Sequence, residues 1–254
     1  IYCRGKMTSR LFIKEIRERT AILTLNRPDQ ANALNRELFA QLTEELQALQ
    51  RDDSIRVVVI CGSGRKAFCA GIDLKERGQK EKTELLRERE TIIRPFYLTL
   101  GNLSKPTLAV INGPALGGGA ELALTCDIRL ASPNARFGQS EIKWGMIPSC
   151  GACQRLRLIA GMGVAKEIIL SGRTLEAQEA FRLGIYNRLV PENMLMAEAL
   201  NLAGEIASNS PVAVRQAKKA LDWGADIAGA LDMDFEASKE CFFAGDTLDL
   251  SKTF

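Results

Sequence analysis

One pattern occurs twice in the first half of the chain and limits what it can fold into: a short apolar run, a loop of small residues, then the start of a helix. Residues 57–61 lead through a loop to Ala70-Gly71-Ile72-Asp73. Residues 107–111 lead through a second loop to Gly117-Gly118-Gly119 and a helical stretch from Ala120. Apolar runs this short suit strands buried on both faces. Strand–loop–helix units repeated in one chain predict an α/β fold. Two adjacent units of this kind can also aim two backbone N–H groups at one spot, because the first N–H groups of a helix have no partner within it.

The rest of the chain fits around this pair. Residues 11–16 and 20–25 are β-rich with a charged break between them, which predicts a hairpin. Asn35 is placed to cap a helix whose apolar face is Leu38, Leu42, Leu46 and Leu49. Asp73 and Glu76 have capping-box spacing, so a helix should start after Asp73. The charged stretch 75–89 reads as a solvated helical face or loop, and 92–103 as an amphipathic helix. Residues 128–131 form a short strand. Helices are expected over 164–171, 175–183, 194–208, 211–223 and 227–243. Ser210-Pro211 is a cap followed by proline at the first helical position. The chain is strand-rich to about residue 145 and almost all helix after about residue 192. The expected division is an N-terminal extension or foreign residues at 1–9, a core over 10–191, and a C-terminal helical region over 192–254.

Composition narrows the chemistry. At 254 residues and 46% hydrophobic, the chain can bury a sizeable core. A formal charge of +3 gives no argument for nucleic acid or an anionic membrane. The chain has no histidine, which excludes Ser-His-Asp and Cys-His nucleophile systems and imidazole zinc sites. A general acid or base must then be Asp, Glu, Lys, Tyr or Cys. The seven cysteines are odd in number and irregularly spaced, which points to a reducing compartment rather than a disulfide framework. Cys150 and Cys153 form a lone CxxC without the further ligands of a zinc site, leaving a structural or a redox role. No apolar run has the length of a membrane span. A cytoplasmic location is expected, with the mitochondrial matrix as the alternative if a transit segment has been removed.

Glu121 follows the glycine run Gly117-Gly118-Gly119, and Glu141 lies in Phe137-Gly138-Gln139-Ser140-Glu141. Glycine lets a ligand oxygen approach the backbone without a Cβ in the way. The helix N-terminus favours negative charge there. Gly118 and Glu121, three residues apart, share a helix face. The run lacks the Gly-Lys-Ser/Thr of a phosphate loop and the spacing of a dinucleotide fingerprint. A tight turn or close packing is the plainer reading of the glycines alone. A solvated helix position and a loop charge are the plainer readings of either glutamate alone. Each glutamate nevertheless sits among small and apolar residues. Two buried carboxylates near one another split into one acid and one base.

Several segments together resemble the crotonase superfamily. Ala67-Phe68-Cys69-Ala70-Gly71-Ile72-Asp73-Leu74-Lys75-Glu76 is similar to its first oxyanion segment. Asn112-Gly113-Pro114-Ala115-Leu116-Gly117-Gly118-Gly119-Ala120-Glu121 is similar to its second. Asn26-Arg27-Pro28 with Asn32-Ala33-Leu34 resembles the N-terminal CoA-contacting loop. Phe137 to Glu141, then Ile147-Pro148 and Gln154-Arg155-Leu156, complete the pattern. The resemblance spans roughly residues 10–245.

It implies a crotonase-like spiral of ββα units closed by C-terminal helices, assembled as homotrimers or homohexamers. It implies an acyl-CoA thioester substrate, with no metal or organic cofactor. The backbone N–H groups of Ile72 and Gly118 would form the oxyanion hole. Glu121 would activate the water that attacks Cβ, and Glu141 would deliver the proton to Cα. Arg27, Ala33, Leu34, Ala70, Gly71, Asp73, Leu74, Gly117, Pro148 and Ser149 would contact substrate. Glutamates at both positions imply an enoyl-CoA hydratase. A 3-enoyl-CoA isomerase and a non-catalytic or RNA-binding member are the alternatives, and balanced charge argues against the last. Asp73-Leu74-Lys75-Glu76-Arg77 also resembles the methylglutaconyl-CoA hydratase branch. Two stretches depart from the pattern. Ser149-Cys150-Gly151-Ala152-Cys153 replaces a glycine-rich turn. The chain ends at Asp249-Leu250-Ser251-Lys252-Thr253-Phe254, where the family carries a further helix, so the tail reads as truncated.

Overall fold

A computed structural model of the chain describes residues 11–78 and 80–222, together with Asp232, Phe235, Glu236 and Lys239. β1 (Phe12–Arg17) and β2 (Thr20–Leu25) form the expected antiparallel hairpin. After a short 3₁₀ turn, the Asn35 side chain accepts from Leu38 N at 3.1 Å and caps α1 (Arg36–Arg51). The apolar stripe of α1 is buried, as its periodicity predicts. β3 (Val57–Gly62) pairs parallel to β2, and β4 (Thr107–Ile111) pairs parallel to β3. Between them lie α2 (Leu74–Arg77), α3 (Lys82–Glu88), a π-helical turn (Arg89–Ile93) and α4 (Arg94–Gly101).

The second unit continues from β4 through β5 (Ala115–Leu116) into α5 (Gly118–Thr125), β6 (Ile128–Ala131) and β7 (Arg136–Gly138). A 3₁₀ turn (Glu141–Trp144) precedes α6 (Ala152–Ala160) and α7 (Met162–Ser171). β8 (Thr174–Glu176), α8 (Ala177–Arg182) and β9 (Arg188–Leu189) follow. The chain then enters α9 (Leu195–Ser208) and α10 (Pro211–Asp222). The helix expected over 175–183 is therefore shorter. Its first residues form β8, because Leu175 is opposite Phe137 in an antiparallel pair with β7 and is fully buried there. The helix expected over 227–243 lies outside the described residues.

Two sheets result. One has the order β1-β2-β3-β4-β6-β9, parallel beyond the first hairpin. The other is β5-β7-β8. Side chains alternate across the large sheet. Val58 and Ile60 face the core that also holds Leu38, Leu42, Phe96 and Leu122. Val57 and Val59 face a second cluster with Ile22, Leu108 and Val110. That second face is covered by Ala199, Ala203 and Ala207 of α9, which recur every fourth residue and let the helix lie close to the strands. The segment through residue 208 thus shares the sheet's own core. Among the described residues, no helix is long and apolar enough to cross a membrane.

Candidate active site

The two strand–loop–helix units meet edge to edge. Parallel bridges link Leu34 with Ile72 and Cys69 with Ala115. Leu34 N donates to Gly71 O at 2.7 Å, Asp73 N to Leu34 O at 2.9 Å, and Leu116 N to Cys69 O at 3.0 Å. The N–H groups of Ile72 and Gly118 take no part in these bonds, and both lie at the seam. A Cβ on Gly71 would stand 3.2 Å from Gly118 N, and a Cβ on Gly118 would stand 3.4 Å from Ile72 N. The first N–H of a helix and a loop N–H therefore border one small volume. The repeat in the sequence pointed to this convergence.

Close approach depends on a missing side chain. A Cβ on Gly119 would lie 2.1 Å from Cys69 O, which no real Cβ contact permits. Tyr97 of α4 locks the same corner from behind. Its phenol donates to Gly118 O at 2.7 Å, and burial pushes its pKa well up, so it stays a donor. Nothing in the sequence pattern marked Tyr97, which reads as one more apolar position of an amphipathic helix.

The glutamates are brought together by the small sheet. β5 pairs with β7, Gly117 N donates to Gly138 O at 2.9 Å, and Glu141 follows three residues after β7. A Cβ on Gly117 would stand 3.2 Å from Glu141 Oε1. Gly117 also has φ +51°, a conformation that L side chains rarely adopt. Glu121 is 3% exposed and accepts from Cys150 N at 2.7 Å and Ala152 N at 3.4 Å. With its amide turned nitrogen-inward, Gln139 donates to both Glu141 oxygens at 3.1 Å.

Burial pushes both carboxyl pKa values up, but to different ends. Glu121 is raised by burial and held back by the Cys150 and Ala152 N–H groups and by the charge of Arg89. Glu141 rises to about 8, through burial first and the neighbouring Glu121 charge second. Burial thus favours the protonated form of both groups, and the N–H groups at Glu121 work against it there.

The remaining substrate-contact expectations divide. Ala33 and Leu34 are buried on the loop beside Gly71, while Ala70 is exposed and Leu74 half-buried next to Ile72. Pro148 and Ser149 are buried on the turn that reaches Glu121. Arg27 is committed within the protein: its guanidinium bonds Ala33 O and Asp73 Oδ2, the latter at 2.7 Å. Asp73 also accepts from Lys75 N and Glu76 N, capping α2 as its spacing predicts. This ion pair braces the loop of Arg27 against the segment that carries Gly71 and Ile72. The solvated reading of 75–89 fails at two positions, since Arg77 and Arg89 are buried. Arg77 donates to Met146 Sδ and Arg89 to Ser149 Oγ, because both face the turns that carry Glu141 and Glu121. Sequence spacing could not separate these two arginines from their solvated neighbours.

A small cavity beside Ile72 is walled by Leu34, Phe39, Leu85, Ile92 and Ile93. Among the described residues no three His, Cys, Asp or Glu side chains cluster as metal ligands, and the five described cysteines, including Cys150 and Cys153, are free thiols.

An α/β fold that brings two backbone N–H groups and two carboxyl groups to one small volume has the form of an enzyme site. The comparisons with known proteins name its family. The enoyl-CoA hydratase/isomerase family matches over residues 15–244, and the chain belongs to that family. It is 39% identical to the short-chain-enoyl-CoA hydratase of Clostridium acetobutylicum, covering 95% of this chain and 93% of that protein. It is 42% identical to the 2,3-dehydroadipyl-CoA hydratase of Escherichia coli, covering 83% and 81%. The crystal structure of an enoyl-CoA hydratase from Bacillus anthracis superposes with a TM-score of 0.83 at 36% identity, covering 93% and 91% of the two chains.

Proposed function

We propose that the protein is an enoyl-CoA hydratase that adds water reversibly across the 2,3 double bond of a 2-enoyl-CoA thioester. The observation that carries this reading is the asymmetric carboxylate pair. Glu121 is held by two N–H groups, and Glu141 keeps its proton to about pH 8. Hydration needs a base for water and an acid for carbon on the same side of one double bond.

The thioester oxygen sits between Ile72 N–H and Gly118 N–H. Ionised Glu121 takes a proton from water as the water oxygen bonds to Cβ. The π electrons move toward the carbonyl, and the enolate oxygen draws its stabilisation from the two N–H groups. Protonated Glu141 then gives its proton to Cα. Dehydration runs the same steps backwards with the roles exchanged. The mobile groups are all carboxyl and amide, so the reaction requires no metal or organic cofactor. The CoA moiety lies along the loop of Ala33 and Leu34. The assembly is a homotrimer or homohexamer, which sedimentation equilibrium tests.

Crotonyl-CoA hydration in ¹⁸O-labelled water tests the reaction. One labelled oxygen in the 3-hydroxyacyl product, with loss of enoyl absorbance, is expected. Conversion of a 3-enoyl-CoA to the 2-enoyl isomer without label uptake, and no hydration, would overturn it in favour of an isomerase.

A further inference from the structure

A segment as charged as 75–89 should face water, yet Arg89 is 4% exposed. The cause is local. Regular helix gives way to a π-helical turn over Arg89–Ile93 before α4 resumes. A π turn inserts a residue into the helical ladder and changes which side chains face inward, and such turns are frequent at functional sites. The turn opens on Arg89, and its Nη1 donates to Ser149 Oγ. Ser149 directly precedes Cys150, whose N–H holds Glu121.

Other charged or titratable groups surround the pair. Arg77 approaches from α2 through Met146, which follows the Glu141 turn. Arg155 of α6 donates to Cys150 O at 3.0 Å and faces Glu121. Tyr97 of α4 and the buried Cys150 thiol also face the carboxylates. Arg89 draws down the pKa of both Glu121 and Glu141.

We propose that Arg89 is a positioning residue for the hydration: it clamps the Ser149–Cys150 turn onto Glu121 and offsets the charge of the Glu121/Glu141 pair. The proposal rests on the acid and base roles assigned above. Two carboxylates in a shared buried site tend to hold protons, and a site with both protonated has no base. A fixed cation beside both lets one ionise while the other stays protonated. Ser149, which departs from the family's glycine-rich turn, supplies the hydroxyl that this cation grips.

The test is the pH profile of kcat/KM for crotonyl-CoA hydration in wild type, Arg89→Gln, Arg89→Lys and Ser149→Ala. The acid limb reports ionisation of the pair's base, and the alkaline limb reports loss of its acid proton. Arg89→Gln should move both limbs upward by on the order of one pH unit or more. At pH values on the acid limb this is a loss of about tenfold beyond any change at the optimum. Arg89→Lys, which keeps the charge, should hold both limbs within about half a unit of wild type. Ser149→Ala should leave the limbs in place and lower kcat several-fold.

A uniformly slower Arg89→Gln enzyme with unmoved limbs would mean a purely structural arginine and would overturn the proposal. If Arg89→Gln does not fold, a full-unit limb shift in Arg89→Lys overturns it instead. Glu121→Gln separates the two levels. If it retains activity, the underlying acid/base assignment has failed. If it is inactive while the Arg89 limbs stay put, only the present inference has.

Discussion

On the reading proposed above, the donor side of the site, around Ile72 and Gly118, is made of backbone, whereas the proton-moving side, around Glu121 and Glu141, is made of carboxyl groups. The donors, being neutral, cost less to bury than a charge, and their aim is set by sheet-like bridges and by side chains that are missing. The carboxylates are costly to bury. Glu121 is held by N–H groups and Glu141 by an amide, while a guanidinium grips the Ser149 turn beside Glu121. The donor side should therefore fail when atoms are added, and the carboxylate side when charges or hydrogen bonds are removed.

The largest expected effect is on the carboxylate side. Glu121→Gln and Glu141→Gln should each lower kcat for crotonyl-CoA hydration by ~10²-fold or more, the range for general acid–base groups. Activity near wild type in either would break the comparison at its centre. On the donor side, Gly119→Ala puts a methyl group where Cys69 O already stands. It should destabilise the fold by about 3 kcal/mol or more in urea titrations and lower kcat with it. An unchanged midpoint would show that the seam has slack.

Tyr97→Phe removes the phenol from Gly118 O without adding volume. A loss of about 1 kcal/mol in stability is expected, read by thermal unfolding, with kcat falling further than KM rises. A separate test of the carboxylate side uses stability alone. Folded Glu141 keeps its proton to about pH 8, against an ordinary value of 4.5. Between those values the folded state holds more protons than the unfolded one, so this group's contribution falls as pH rises. Glu141→Gln should therefore gain melting temperature relative to wild type from pH 5 to pH 8. A gap that stays constant with pH would mean that the carboxyl is not strained by burial.

Much of the site was legible because its signals are local. Asn35 and Asp73 cap the helices that follow them, and the Leu38-Leu42-Leu46-Leu49 stripe is buried. The seam at Gly71 and Gly118 follows from two copies of one unit lying side by side. Residues whose roles depend on distant partners were not legible. Leu175 extends a sheet because Phe137 lies opposite it, not because of its neighbours in sequence. Arg27, expected to contact substrate, also bonds Asp73, 46 positions away. Arg89 looked like its solvated neighbours until a π turn directed it to Ser149, 60 positions away.

The sequence by itself determined the two strand–loop–helix units and the proposed proton carriers, since a chain without histidine that places two glutamates among small residues has few other choices. Tertiary structure alone decided what each carboxyl group meets: Glu121 the Cys150 and Ala152 N–H groups, and Glu141 the Gln139 amide and its neighbour's charge. Electrostatic energies inside a protein depend on distance and burial, which no linear spacing encodes.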